Sequence, residues 1–573
     1  VKLAHEYIDH LPAAAIWLGE EIRKKEVQLS YMDPTSKQAL QLKKEIDDLG
    51  NALRANARDQ KLYTNAKYES LSAKEKNLHE KAFATNKADP EYHHLTSLKY
   101  KDGDKERELQ VPKGDILYQF REDVKNNKLP TVSWLVAPEN FSDHPSSAWY
   151  GAWYISEVLD ILTQNPELWK KTIFVLTYDE NDGYFDHVPP FISPFEPGTG
   201  LVSKGIDTSI EFVRKEQQSS EPDDIREHSI GLGYRVPLVI ASPWTRGGWV
   251  CSEVFDHTSS LMFLEKFLSH KAGRKIEEPN ISDWRRTVCG NLVSAFRPWN
   301  GEKTELPSFI ERDPFVEGIY NAKFKALPDN FKALSAEEIE QINKKPEGSP
   351  YFPKQEKGIR NACALPYELY ADGNRNKEKN IFEIRFRAGN ELFGTAASGS
   401  PFAVYAPGSY LKERVRTWAY AVSAGDQLTD SWPLTDFDLN KYHLQVYGPN
   451  GFFREFIGDQ QDPLLEVSCS YEKVSGTGTI SGRILLMIIN HSSQSEIIQI
   501  KDNAYKSADR KMTIQPEMQK PGGEIILLDM KKNLGWYDFS VNIKDNALFQ
   551  KRFAGRIETG NHSKTDPAMG QVI

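Results

Sequence analysis

Through the first 75 residues, apolar positions recur at intervals of three and four among dense Glu, Lys, Leu and Ala, which is helical periodicity. Leu40, Ile46, Leu49 and Leu53 are assigned to one apolar stripe, and Met32, Asp33 and Pro34 interrupt the pattern ahead of it. A helical hairpin is therefore expected, with residues 1–110 forming an arm. From about residue 111 the pattern changes. Residues 114–129 read as an amphipathic helix, 129–139 as an apolar strand, 146–169 as a helix and 171–181 as a second strand with a polar exit. A third strand is expected at 234–244 and a helix at 259–271. Apolar strands alternating with helices imply an α/β domain, a mainly parallel sheet covered on both faces, over about 111–345.

Beyond residue 300 the chain becomes rich in Pro, Gly and Asn and then turns to short alternating strands. A weak internal repeat is present. YHLQV at 442–446, GPNG and FFREFIG at 452–458 are echoed by YDFSV at 537–541, KDNA and FQKRFAG at 549–555. Each copy reads strand, turn, strand and closes on F-x-[RK]-x-F-x-G. Two β-sandwich domains are expected at 360–460 and 461–560, with 561–573 as a tail.

Composition narrows the function classes. A 573-residue chain with 39% hydrophobic and 27% charged residues is ordinary for a multidomain globular protein. A formal charge of −9 argues against nucleic acid as a partner. Aromatic residues reach 11%, with 12 Trp and 24 Tyr; such rings suit choline, sugar or lipid-headgroup surfaces and equally well fill cores. The four cysteines, Cys251, Cys289, Cys363 and Cys469, lie far apart with no CxxC spacing, so neither a disulfide framework nor a structural zinc site is expected. No apolar run reaches the roughly 18 residues of a membrane span. The chain starts at Val1 with no visible export leader, and a start without Met does not deny one.

Three polar clusters follow expected strands. PENFSDHPS carries Glu139, Asp143 and His144; YDENDGYFDH carries Asp179, Glu180, Asn181, Asp182, Asp186 and His187; FDHTS carries Asp256 and His257. Chemistry in α/β folds gathers beyond the carboxyl ends of strands. Carboxylates and imidazoles there are the donors a divalent cation needs, and a histidine can protonate a leaving alcohol. Any one of them alone reads as a loop cap or a surface ion pair. Neither a GxSxG elbow nor a P-loop is present, and the NDG at 181–183 lacks the remaining ligands of an EF-hand.

The segments TVSWLVAPENFSDHPSSAWYGAWYISEVLDIL, KTIFVLTYDENDGYFDHVPP, YRVPLVIASPWTRGGWVCSEVFDHTSSLMFLEKF and EPNISDWRRTVCGNL resemble successive motifs of bacterial phosphocholine-specific phospholipases C. These belong to a phosphoesterase family within the alkaline phosphatase superfamily. From ALPYELY to the end, the chain is similar to their paired C-terminal β domains. The resemblance implies an alkaline-phosphatase-like catalytic sheet and metal-assisted release of phosphocholine from phosphatidylcholine or sphingomyelin, with acid phosphatase or other phosphodiesterase activity as the alternative reading. A non-catalytic lipid- or sugar-binding role is a further alternative.

The resemblance also implies site residues. Asp179 and Glu180 match late ligands of a divalent metal (zinc, calcium or manganese), and His144 matches a histidine that meets the phosphoryl group or leaving oxygen. Asp182, His187 and His257 lie in family motifs with catalytic roles unassigned between them. Trp149, Tyr150 and Trp153 are candidates for a choline cage, or for a buried helical stripe. An exported protein with peripheral membrane contact is implied. The family's opening Glu-Asn-Arg-Ser-Phe-Asp-His-type run and its Thr or Ser nucleophile have no counterpart before residue 111, so the resemblance implies an N-terminally truncated chain without activity of its own. If it is active after all, Ser142 or Thr258 would have to supply the nucleophile.

Overall fold

The computed structural model describes residues 5–572 except 83–85, 87, 146–148, 218–225, 302–307, 328, 330, 353, 355 and 477. The chain divides into two compact units, Val1–Lys171 with Leu306–Lys332, and Thr172–Glu305 with Ala333–Ile573. The segment expected to be a single catalytic domain, 111–345, is thus shared between them.

The first unit begins with the expected hairpin, helices His5–Ser30 and Lys37–Leu62 packed on one another. Ser36 caps the second helix by accepting the Ala39 N–H. The inward stripe runs through Ala39, Leu42, Ile46, Leu49, Leu53 and Asn56, while Leu40 is exposed. Leu40 lies six positions before Ile46, a spacing that puts it on another helix face. Buried Asn56 donates through Nδ2 to the Leu11 carbonyl at 3.0 Å, next to the helix-interior Pro12.

The arm is not helical throughout. Leu95–Asp102 and Lys105–Pro112 form an antiparallel hairpin closed at Asp102↔Lys105, with Gly103 at φ +61°. A Gly-Asp turn between alternating residues is a hairpin signature that the helical reading of 1–110 passed over. Helix Gly151–Thr163 buries Trp153, Tyr154, Val158, Ile161 and Leu162. The strand expected at 129–139 is irregular and its Val132, Trp134, Leu135 and Val136 are exposed. A strand exists only against a ladder partner, and none of the described residues pairs with this segment.

In the second unit, Phe174–Thr177 and Leu238–Ala241 form where expected but pair antiparallel, Phe174 opposite Ala241 and Thr177 opposite Leu238. This corrects the parallel sheet. A parallel return requires a crossover, ordinarily a helix. Between these two strands the described residues contain only short strands and single-turn helices. The α/β class still holds in the mixed sense, helices plus a β-rich C-terminal half.

That half contains two cores. One groups Phe382, Ile384, Phe386, Phe402, Tyr420, Trp432 and Phe456; the other groups Val467, Ile484, Leu486, Ile498, Val541 and Phe553. Each lies between a three-stranded sheet and one part of a single nine-stranded sheet. The two sandwiches join where the repeated motifs meet, since Phe453–Gly458 pairs antiparallel with Asn546–Arg556. At the far edge Gly200–Val202 adds in parallel to Glu413–Val422. Gly200 has φ +137° there, and a Cβ on it would fall 1.7 Å from the Ala419 carbonyl oxygen, so the docking of this strand demands glycine.

Candidate functional site

In the second unit, strand Phe174–Thr177 delivers Tyr178, Asp179 and Glu180 at its carboxyl end, with both carboxylates exposed. The loop beyond is shaped by its own side chains. Asp182 Oδ1 accepts the Tyr184 N–H at 3.0 Å, and Asn181 Nδ2 donates to the Tyr184 carbonyl at 2.8 Å around Gly183 at φ +83°. Tyr184 and Phe185 project into solvent, with Phe185 91% exposed and set edge-on to Tyr234.

Asp186 is the fixed point of the loop. Arg235 clamps it through two bonds, Nε to Oδ2 at 2.6 Å and Nη2 to Oδ1 at 2.9 Å, and the Val188 N–H adds a third. The guanidinium beside it, helped by that amide, holds the Asp186 carboxyl well below the usual carboxylate range. His187 is exposed, with Nδ1 3.0 Å from Asp186 Oδ1.

Helix His257–Ala272 starts with a capping box in which Asp256 and Ser259 satisfy one another's backbone N–H groups. The turn directs His257 back to the strand end, where its Nε2 donates to the Tyr178 carbonyl at 2.8 Å. This contact fixes the proton on Nε2 and puts the imidazole beside the residue that precedes Asp179.

Asp256 itself has a structural role. Its carboxylate receives the Thr258 hydroxyl at 2.6 Å and the Arg285 guanidinium at 2.5 Å. Arg285 also donates to Glu211 at 2.9 and 3.0 Å and to the Gly231 carbonyl at 2.8 Å. Arg285, Glu211 and Arg235 were not expected from the sequence. The only available signal was the surplus of acidic residues in these segments, which requires cations from elsewhere in the chain.

In the first unit, Asp143 sits at φ +61° and its Oδ1 accepts the Gly151 N–H at 3.0 Å, at the start of helix Gly151–Thr163. His144 follows on the exposed side. Trp153 is buried and contacts Phe141 at 5.8 Å between ring centroids; Tyr150 is half-buried and also meets Phe141; Trp149 is 69% exposed. The three rings thus span core to surface, and Trp153 belongs to the buried stripe.

In all three Asp-His pairs the aspartate is bonded to backbone or arginine and the histidine is exposed, His257 while donating to the Tyr178 carbonyl. Of the expected residues, the structure brings His257 to the Asp179 segment. Asp182 and His187 lie further along the same loop, and His144 belongs to the other unit. Among the described residues, no three His, Cys, Asp or Glu side chains gather closely enough to hold a metal ion. Asp179 and Glu180 offer the oxygen donors a hard cation prefers, but as a pair they do not complete a coordination shell.

Residues 30–269 match the Phosphoesterase family, and residues 361–459 match the bacterial phospholipase C, C-terminal domain. The chain thus carries a phosphoesterase-family region at 30–269. It is 37% identical over 456 residues to a non-hemolytic phospholipase C of Burkholderia pseudomallei, covering 79% of this chain and 59% of that protein. Similarity to a non-hemolytic phospholipase C of Pseudomonas aeruginosa is 37% over 468 residues, covering 79% and 60%. Phospholipase C B of Mycobacterium tuberculosis matches at 38% over 194 residues, 33% of this chain and 34% of that one. The chain thus spans about 60% of the length of these first two curated relatives. Its matched family region covers the strand end at Asp179, the clamped loop and the start of the His257 helix.

Proposed function

We propose that the protein acts as a phospholipase C, hydrolysing phosphatidylcholine- or sphingomyelin-type phosphodiesters to release phosphocholine. The observation that carries this reading is the His257–Tyr178 hydrogen bond, which holds an imidazole at the strand end bearing Asp179 and Glu180 inside the region matched to the family. Asp179 and Glu180 would donate oxygens to a divalent cation, whose charge would offset that of a phosphodiester. With its Nε2–H committed to the Tyr178 carbonyl, His257 keeps Nδ1 as the nitrogen open to a proton. His144 is assigned to the phosphoryl or leaving oxygen, and Asp182 shapes the loop. Tyr184 and Phe185, apolar and outward, suit the headgroup or the membrane surface. Export follows from the substrate, and no helix among the described residues is long and apolar enough to cross a membrane.

The test is an assay of the protein, purified from the cells that make it, on phosphatidylcholine vesicles with Zn²⁺, Ca²⁺ or Mn²⁺ added. Cation-dependent release of phosphocholine that disappears with Asp179→Asn is expected. Hydrolysis confined to phosphomonoesters would replace this reading with that of an acid phosphatase. Vesicle binding with no hydrolysis under any cation would make the protein a lipid-binding one.

A further inference from the structure

Cys251 and Cys363 are distant in sequence, yet the fold of the second unit sets them side by side. Val250 and Ala362 form a parallel β-bridge, closed by the Val250 N–H on the Asn361 carbonyl and the Cys363 N–H on the Val250 carbonyl, each at 2.9 Å. The next residue on each segment is a cysteine. In parallel register these two face the same way, about 5 Å apart between Cα atoms, inside the 4.4–6.8 Å window that disulfides occupy. Both are free thiols in this structure, and their side chains interact with each other.

We propose that Cys251 and Cys363 are a disulfide-forming pair that staples segment 172–305 to the first β sandwich when the protein meets an oxidising environment.

The surroundings make the two thiols unequal, because the hydrogen bond to Cys363 and burial push the Cys251 thiol up. Cys251 lies 3.3 Å from the Ser294 hydroxyl. The Arg297 guanidinium stacks on Trp249 at 4.0 Å from the ring centroid and interacts with the Cys363 thiol. The hydrogen bond with Cys251, helped by the charges of Arg297 and Arg556, lowers the Cys363 thiol to about 7. Cys363 is thus the more readily ionised thiol of the pair, 2% exposed beside the part-exposed Cys251. Its thiolate attacks one sulfur of a small-molecule or protein disulfide and expels the other as a thiol. The Cys251 thiolate then attacks the Cys363 sulfur of the mixed disulfide and releases the second thiol. Two thiols are oxidised, one external disulfide is reduced, and the protons of Cys251 and Cys363 end on the two departing thiols. Cys289 and Cys469 lie in separate cores away from this bridge and take no part.

The bond would close a loop of more than a hundred residues, the size at which constraint of the unfolded chain is greatest. The experiment treats the full chain with oxidised glutathione or with dithiothreitol, blocks free thiols, and maps the digest by mass spectrometry under non-reducing conditions. A peptide joining Cys251 to Cys363, two fewer titratable thiols, and an upward melting shift of roughly 5–10 °C in the oxidised sample are expected. Cys363→Ser should abolish both the linked peptide and the shift. Four alkylated cysteines after oxidation, or a linkage through Cys289 or Cys469, would overturn the proposal; so would a linked peptide with no melting shift, since no staple would then exist. The mapping of the unsubstituted chain decides even if a variant fails to fold.

Discussion

Arg454 and Lys551 hold the same place in the two repeated motifs, and each lies opposite the other copy's phenylalanine across the strand pair that joins the sandwiches. Arg454 faces Phe553 and Lys551 faces Phe456. Both cations are buried. Arg454 donates to the Phe453 and Ala554 carbonyls at 2.8 and 2.9 Å and lies 4.0 Å from the Phe452 ring. Lys551 donates through Nζ to the Gly373 and Leu465 carbonyls at 2.7 and 3.2 Å and to Asn374 Oδ1 at 3.0 Å. Buried charges are costly unless hydrogen-bonded, and each cation here binds backbone carbonyls, with Arg454 Nε alone of these donors left without a partner.

Lys551→Met should destabilise the β half by about 2–4 kcal/mol at pH 7, because it strands buried carbonyls. Burial pushes the Lys551 ammonium down to about 8, against an ordinary value near 10.5. Between those two pH values the unfolded chain binds the proton and the folded one does not. The contribution of this group to stability therefore rises with pH across that window, by on the order of 1–3 kcal/mol. Denaturant melts of both proteins from pH 7 to 10 check it, since the stability difference between wild type and variant should widen as pH rises.

Arg285→Ala should cost about 3–5 kcal/mol, because it leaves the carboxylates of Glu211 and Asp256 buried without their cation. Thermal melting should show the loss whether or not a divalent cation is present. A variant that melts with the wild type would show that the network contributes nothing.

Asp179→Asn and Asp186→Asn, seven residues apart, should behave differently. Asp179→Asn should lower cation-dependent turnover at least about 100-fold with little change in melting, because an amide is a poor ligand for a hard cation. Asp186→Asn should loosen the 181–188 loop, seen as faster amide exchange there. The Asp186 carboxyl is depressed in the folded state, so its support is present above the unfolded carboxylate value and is lost as pH falls below about 4. Arg235→Gln should reproduce the loosening at neutral pH.

His144→Ala and His257→Ala should each cost about 10²–10⁴ in turnover while cation binding is retained. Steady-state kinetics on a chromogenic phosphocholine ester, alongside calorimetric titration with the cation, separates the two readouts. Turnover unchanged in both variants would remove the histidines from the chemistry.

Gly458→Ala should destabilise the first sandwich by about 1–3 kcal/mol. The added Cβ would lie 1.9 Å from Asp462 Oδ2 and 2.4 Å from the Tyr442 hydroxyl, which are hydrogen-bonded to each other at 2.7 Å. A urea melt measures the change.

Local chemistry made several elements legible in the sequence. The 3–4 periodicity of 37–62, the strand texture of 174–177 and 238–241 and the repeated F-x-[RK]-x-F-x-G motif all became the elements they suggested, because helix faces and strand alternation are short-range properties. The clustering of acids and histidines after the strand end at Thr177 was legible for the same reason, whereas Asp143 and His144 follow an irregular segment. Pairing direction, burial and charge neutralisation were decided by tertiary structure. No local pattern states that 174–177 and 238–241 run antiparallel, or that 129–139 would find no ladder partner. Nor does one show that the two repeats would fuse into one sheet through their own motif strands. Asp143, Asp186 and Asp256 read as ligand candidates until the fold supplied a helix amide, Arg235 and Arg285 to bind them. Cys251 and Cys363 read as isolated until a β-bridge set them side by side. A sequence determines which groups exist and how its neighbouring residues alternate; which distant group neutralises or pairs with each one depends on a three-dimensional closure to which many weak contacts contribute together.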